Sequence, residues 1–113
     1  MSDLAQHLNV EALNELKEVM GDEFSLLIDT FTSDSIVRIE TINAAVAELS
    51  ADDIRRTAHS FKGSASNMGA THLADLCRRL EELGADGQTE GAQSLAEQIM
   101  AEYGQVKAAL AAL

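Results

Sequence analysis

No proline interrupts the 113 residues, and apolar side chains recur at steps of three and four through most of the chain. A proline inside a helix removes a hydrogen bond and clashes with the preceding turn, so a chain without one is free to form long helices. Aromatic residues make up only 4% and alanine, leucine and glutamate dominate, which argues against a sandwich or barrel of short strands. At 46% hydrophobic the chain can bury one modest core, and its length suits one domain over residues 1–113.

The breaks fall where helices change. Asn9 is placed to cap a first helix carrying Val10, Leu13, Leu16 and Met20; Gly21 ends it and Asp22 is placed to cap the next. The second stripe takes Phe24, Leu27, Ile28, Phe31, Ile42, Val46 and Leu49, with a polar middle at Asp34, Ser35 and Arg38. Ser50 and Asp53 have the spacing of a capping box, and a third helix runs to about Met68. Thr71 is the expected cap of a fourth, seamed by Leu73, Leu76, Cys77, Leu80 and Leu83. Gly84, Gly87 and Gly91 are expected to loosen the next junction. The last helix carries Ala92, Leu95, Ile99, Tyr103, Val106, Leu110 and Leu113. The predicted fold is all-α: an antiparallel up-down four-helix bundle with a short additional N-terminal helix, because short connections make successive helices antiparallel.

Eight basic residues against 19 acidic give a formal charge of −11, which repels phosphate backbones and anionic lipid. Nucleic acid and membrane are therefore not expected partners. A single cysteine excludes an internal disulfide, and Cys77 falls on an apolar seam as a buried small hydrophobe. No apolar run approaches a membrane span, and Met1-Ser2-Asp3-Leu4 does not resemble a signal peptide, so the expected location is cytoplasmic. No phosphate-binding loop, zinc pair or nucleophile elbow is present in the sequence. His7 and His72 have no neighbours in sequence that suggest a role.

The positive charge is concentrated. Arg55, Arg56, Lys62, Arg78 and Arg79 fall between residues 55 and 79, where Asp75 is the only acid. This is an anion-facing patch or two solvated helix faces; composition alone does not separate them. On a helical projection Ile54, Ala58, Phe61, Ala65 and Met68 cluster within about 80° and form a core stripe. His59, Lys62, Gly63 and Ser66, with Arg55, occupy the adjacent face over about 100°. An exposed imidazole therefore has an ammonium one turn on and a bare spot beside it. Gly63 either lets a partner approach or lets a neighbouring helix pack closely.

The run Ala58-His59-Ser60-Phe61-Lys62-Gly63-Ser64-Ala65-Ser66-Asn67-Met68-Gly69-Ala70 resembles the motif of histidine-containing phosphotransfer (HPt) domains. Leu73-Ala74-Asp75-Leu76-Cys77-Arg78-Arg79-Leu80-Glu81-Glu82-Leu83-Gly84 is similar to their next helix, and Phe31, Asp34, Arg38 and Ile39 to the preceding one. The resemblance implies that His59 accepts a phosphoryl group from the aspartate of a receiver domain on a hybrid sensor kinase and passes it to the aspartate of a response regulator. Lys62 matches the lysine that neutralises the phosphoryl group, and Gly63 the small residue that admits the receiver. At the position of Glu81 the family often has a glutamine that bonds the non-reacting nitrogen; a carboxylate can accept the same Nδ1–H, which makes Glu81 the expected orienting residue. Arg55, Arg56, Ser66, Arg78 and Arg79 complete the expected docking face.

No metal or cofactor is expected on this chain, since the receiver brings Mg²⁺. No ATP-binding or autokinase segment is present, so the protein is expected to be a monomeric relay intermediate and not a kinase. The alternative is a helical adaptor that binds a receiver-like partner through the same face without accepting phosphate.

Overall fold

The computed structural model describes residues 7–113 and is all-helical, with no strand among the described residues. The helices are α1 (Val10–Met20), α2 (Glu23–Ala47), α3 (Ala51–Asn67), α4 (Thr71–Ala85) and α5 (Ala92–Ala111). Met1-Ser2-Asp3-Leu4 lies outside the described residues. Each of the four long helices packs against two of the others, and the α3–α4 contact is the most extensive.

The core follows the periodicity. From α3, Ile54, Ala58, Phe61 and Ala65 are buried, with Met68 just beyond; from α4, Leu73, Leu76, Cys77 and Leu80. Phe24, Phe31, Ile42 and Val46 of α2 meet Ile99, Tyr103, Val106 and Leu110 of α5 in the same cluster. Burying each large side chain is worth roughly 1.5–3 kcal/mol, so these stripes dominate the packing.

Three local expectations fail. Asp22 precedes α2 in helical conformation and its side chain makes no capping bond. Thr71 is the first residue of α4, not its cap; Ala70, fully buried, precedes it. Leu49 lies past the end of α2, exposed and in the left-handed region at φ +56°, so it does not continue the apolar stripe. Asn9 and Ser50 do cap, accepting from the N–H groups of Ala12 and Asp53. The Ser50 N–H bonds Ala45 O, so the return half of the box does not form.

Gly84 corrects a further expectation. It sits inside α4, and a Cβ there would lie 2.6 Å from Ala51 O and 2.8 Å from Arg55 N. It therefore brings two helix backbones together and loosens nothing. At the α3–α4 corner, Gly69 takes φ +69°, a conformation that favours glycine, and its carbonyl accepts from Asn9 N–H at 2.8 Å. The polar middle of α2 also has a place. Ser35 is buried, while Arg38 reaches across to α3 and donates Nε–H to Ser60 Oγ at 3.1 Å.

Candidate functional site

His59 stands on the outer face of α3 because its neighbours Ala58 and Phe61 are drawn into the core. Its side chain is 67% exposed. Glu81 reaches over from α4 with both oxygens engaged: Oε2 lies 2.7 Å from His59 Nδ1 and Oε1 lies 2.7 Å from Lys62 Nζ. One carboxylate thus joins two residues a helical turn apart. The Lys62 ammonium, followed by the His59 ring, holds the Glu81 carboxyl below its ordinary range against partial burial, which acts the other way. An ionised carboxylate only accepts, so Nδ1 carries the hydrogen and the lone pair lies on Nε2. Nε2 has no hydrogen-bond partner among the described residues.

The structure decides between the two readings of Gly63. A Cβ placed there would meet nothing within 4 Å. The close-packed glycine is Gly84, and the bare spot beside the histidine faces open space. A shallow groove between α2 and α3 passes Gly63, with Leu27, Phe31, Asn67 and Met68 among its lining. Ser66 is exposed on the same helix.

The arginines are less free than their number suggests. Arg55 pairs with Asp52, Arg56 with Asp52 and Asp53, Arg78 with Asp75 and Glu82, and Arg79 with Asp75. Asp52, Asp53 and Glu82 lie just outside the basic segment, three or four residues from the arginines they meet, and supply charge that the segment count leaves out. The local field is accordingly closer to neutral than five cations against one acid imply.

A second histidine–carboxylate group lies elsewhere. His7 Nδ1 is 2.7 Å from Glu102 Oε2, and His72 Nε2 is 4.0 Å from the other oxygen. Sequence reasoning left both histidines without company, because Glu102 is distant from each along the chain. The pair is largely covered: the His7 side chain is 17% and the Glu102 side chain 7% exposed. Cys77 is buried and its thiol is pushed up to about 12, which removes it as a nucleophile near neutral pH. Among the described residues no group of three or more His, Cys, Asp and Glu side chains is arranged to hold a metal ion, and no helix is long and apolar enough to cross a membrane.

The model of the Hpt domain family matches residues 26–113, which includes His59, Lys62, Gly63 and Glu81. The chain belongs to the Hpt domain family. The crystal structure of histidine-containing phosphotransfer protein B (HptB) from Pseudomonas aeruginosa PAO1 superposes with a TM-score of 0.86 at 44% identity, covering 89% of this chain and 88% of that one. Over 78 residues, 68% of its length, the chain is 33% identical to sensor protein TorS of Escherichia coli (strain K12). It spans only 8% of TorS, so the similarity concerns one segment of that sensor. Membership in the Hpt family gives the exposed imidazole of His59 a chemical context.

Proposed function

We propose that the protein is a histidine phosphotransfer intermediate of a phosphorelay, with His59 as phosphoacceptor. In this reading residues 1–113 form one Hpt domain whose four long helices make an antiparallel up-down bundle, and α1 is the short additional helix. A receiver aspartate of a hybrid sensor kinase donates, and a response regulator aspartate accepts. Such a protein works in the cytoplasm as a monomer and needs no ATP site, because the phosphoryl group arrives already activated. Mg²⁺ belongs to the receiver.

The observation that carries this proposal is an exposed Nε2 whose lone pair is directed outward by the Glu81 contact on Nδ1. That lone pair forms the P–N bond while the P–O bond to the receiver aspartate breaks and its electrons stay with the carboxylate. Phosphoryl transfer needs alignment and charge neutralisation more than further covalent chemistry. Lys62 is one turn away with a flexible stem, and the open space over Gly63 admits the receiver. Arg55, Arg56, Ser66, Arg78 and Arg79 form the surrounding rim.

The test is label transfer from a phosphorylated receiver domain at low and high salt. Lys62→Ala should slow transfer or shorten phosphohistidine lifetime at both, because it acts at contact range. Arg56→Ala and Arg79→Ala should act on association, with effects that shrink as salt rises. A protein that binds the receiver but takes no label would be an adaptor, and the phosphotransfer assignment would fail.

A further inference from the structure

We infer that Glu81, as a carboxylate and not merely as a hydrogen-bond acceptor, keeps the proton on His59 Nδ1 through both halves of the transfer and so makes phosphate donation by His59 insensitive to rising pH. The inference rests on the phosphotransfer reading above and assigns Glu81 as a positioning residue that also sets the protonation of the leaving group.

The proton balance shows why this matters. A neutral imidazole with hydrogen on Nδ1 attacks through Nε2, and the product is a cationic ring that still carries the Nδ1 hydrogen. In the return step the P–N bond breaks and its electron pair goes back to Nε2. With Nδ1–H in place the departing group is neutral imidazole, and no proton enters or leaves the ring. If Nδ1 loses its proton while phosphorylated, the departing group becomes an imidazolate anion, a far poorer leaving group. An unassisted ring loses that proton as pH rises through and above the ordinary histidine range.

The geometry places the opposing charge where it is needed. Glu81 Oε2 is 2.7 Å from Nδ1, and the Glu81 side chain is only 20% exposed, so water competes weakly for it. Lys62 holds the other oxygen at 2.7 Å. A phosphoryl group on Nε2 attracts the same ammonium. As Lys62 turns toward it, Glu81 faces the newly cationic ring with its charge less shared. The other charged groups around the site are engaged elsewhere. On α3, Arg55 is held by Asp52; on α4, Arg78 is held by Asp75 and Glu82; on α2, Arg38 is bonded to Ser60 and lies near Asp34. Glu81 is the carboxylate that touches the ring.

Glu81→Gln separates charge from orientation, because an amide oxygen can still accept Nδ1–H. The full chain and this variant are phosphorylated from a labelled receiver, freed of it, and mixed with fresh receiver between about pH 6 and about pH 8.5. Each rate is referred to the same protein's rate at the lowest pH. The native protein should stay within about threefold, while Glu81→Gln should fall by about tenfold per pH unit once the ring titrates. Parallel profiles would overturn the inference and leave His59 as phosphoacceptor. Absence of label on His59 in the native chain would overturn the phosphotransfer reading itself. A second readout does not depend on the variant: ring ¹⁵N shifts of the native protein should show hydrogen on Nδ1 before and after phosphorylation across this range. Loss of that signal from the phosphorylated ring near neutral pH would also overturn the inference.

Discussion

His59 and His7 each present Nδ1 to a glutamate at 2.7 Å, yet the two pairs sit in opposite surroundings. At His59 the ring is two-thirds exposed, and the carboxylate behind it has a cation on its other oxygen in Lys62. At His7 the ring is mostly covered and Glu102 is nearly buried, with the His72 ring at 4.0 Å as its other basic neighbour among the described residues. The same hydrogen bond therefore serves different ends. One leaves a ring nitrogen facing solvent. The other gives a nearly buried glutamate a hydrogen-bond partner and attaches the segment before α1 to α5. Identical donor and acceptor chemistry does not define a site; accessibility and the remaining neighbours do.

The largest expected effect separates the two histidines by function. His59→Gln should reduce acid-labile label from a phosphorylated receiver to background, whereas His7→Gln and His72→Gln should retain most of it. Label on His7 or His72 in the His59→Gln protein would break the comparison.

Stability should separate the two regions in the other direction. Gly84→Ala pushes a methyl into the backbone of α3 and should cost about 1–3 kcal/mol in a urea melt. Gly63→Ala meets open space in a helix and should be neutral or stabilising by up to about 1 kcal/mol. Equal losses would mean that Gly63 also packs against a neighbour.

His7→Ala leaves a nearly buried Glu102 without its close partner and should cost about 1–2 kcal/mol at neutral pH. His59→Ala, at an exposed position, should change stability by less than about 0.5 kcal/mol. Similar losses for both would erase the distinction between interior and surface pair.

The smallest effect is on the acid side. Lys62 and His59 lower the Glu81 pKa on folding, so this contribution is complete above the unfolded carboxyl value, about pH 4.3, and fades as pH falls through the lower folded value. Lys62→Ala should raise the folded value toward the unfolded one and remove most of that fading. The check is urea stability measured on both sides of this window. An unchanged acid profile would show that the Lys62–Glu81 pair is too well solvated to matter.

Much of this was legible because it is local. Through α3 and its C-terminal cap the rotation per residue alone sends Ile54, Ala58, Phe61, Ala65 and Met68 inward and leaves His59, Lys62, Gly63 and Ser66 on the adjoining face. The pairs Asp52–Arg55, Asp53–Arg56 and Asp75–Arg79 obey the same short spacing. They were legible too, but counting charge between residues 55 and 79 hid them. The contact of Glu81 with His59 was expected from resemblance, not from spacing; its second contact, with Lys62, was not anticipated.

Periodicity within single segments sets the helices, most of their apolar stripes and which histidine stands beside a lysine and a glycine, with Leu49 the residue that leaves its stripe. Tertiary structure alone decided that Gly84 and not Gly63 is the point of close approach, because a missing Cβ has meaning only once an opposing backbone is in place. It alone joined His7 to Glu102, 95 residues apart, and set both oxygens of Glu81 against two residues of another helix. Such contacts depend on how helices are rotated and offset against one another, and no spacing along a single helix encodes that.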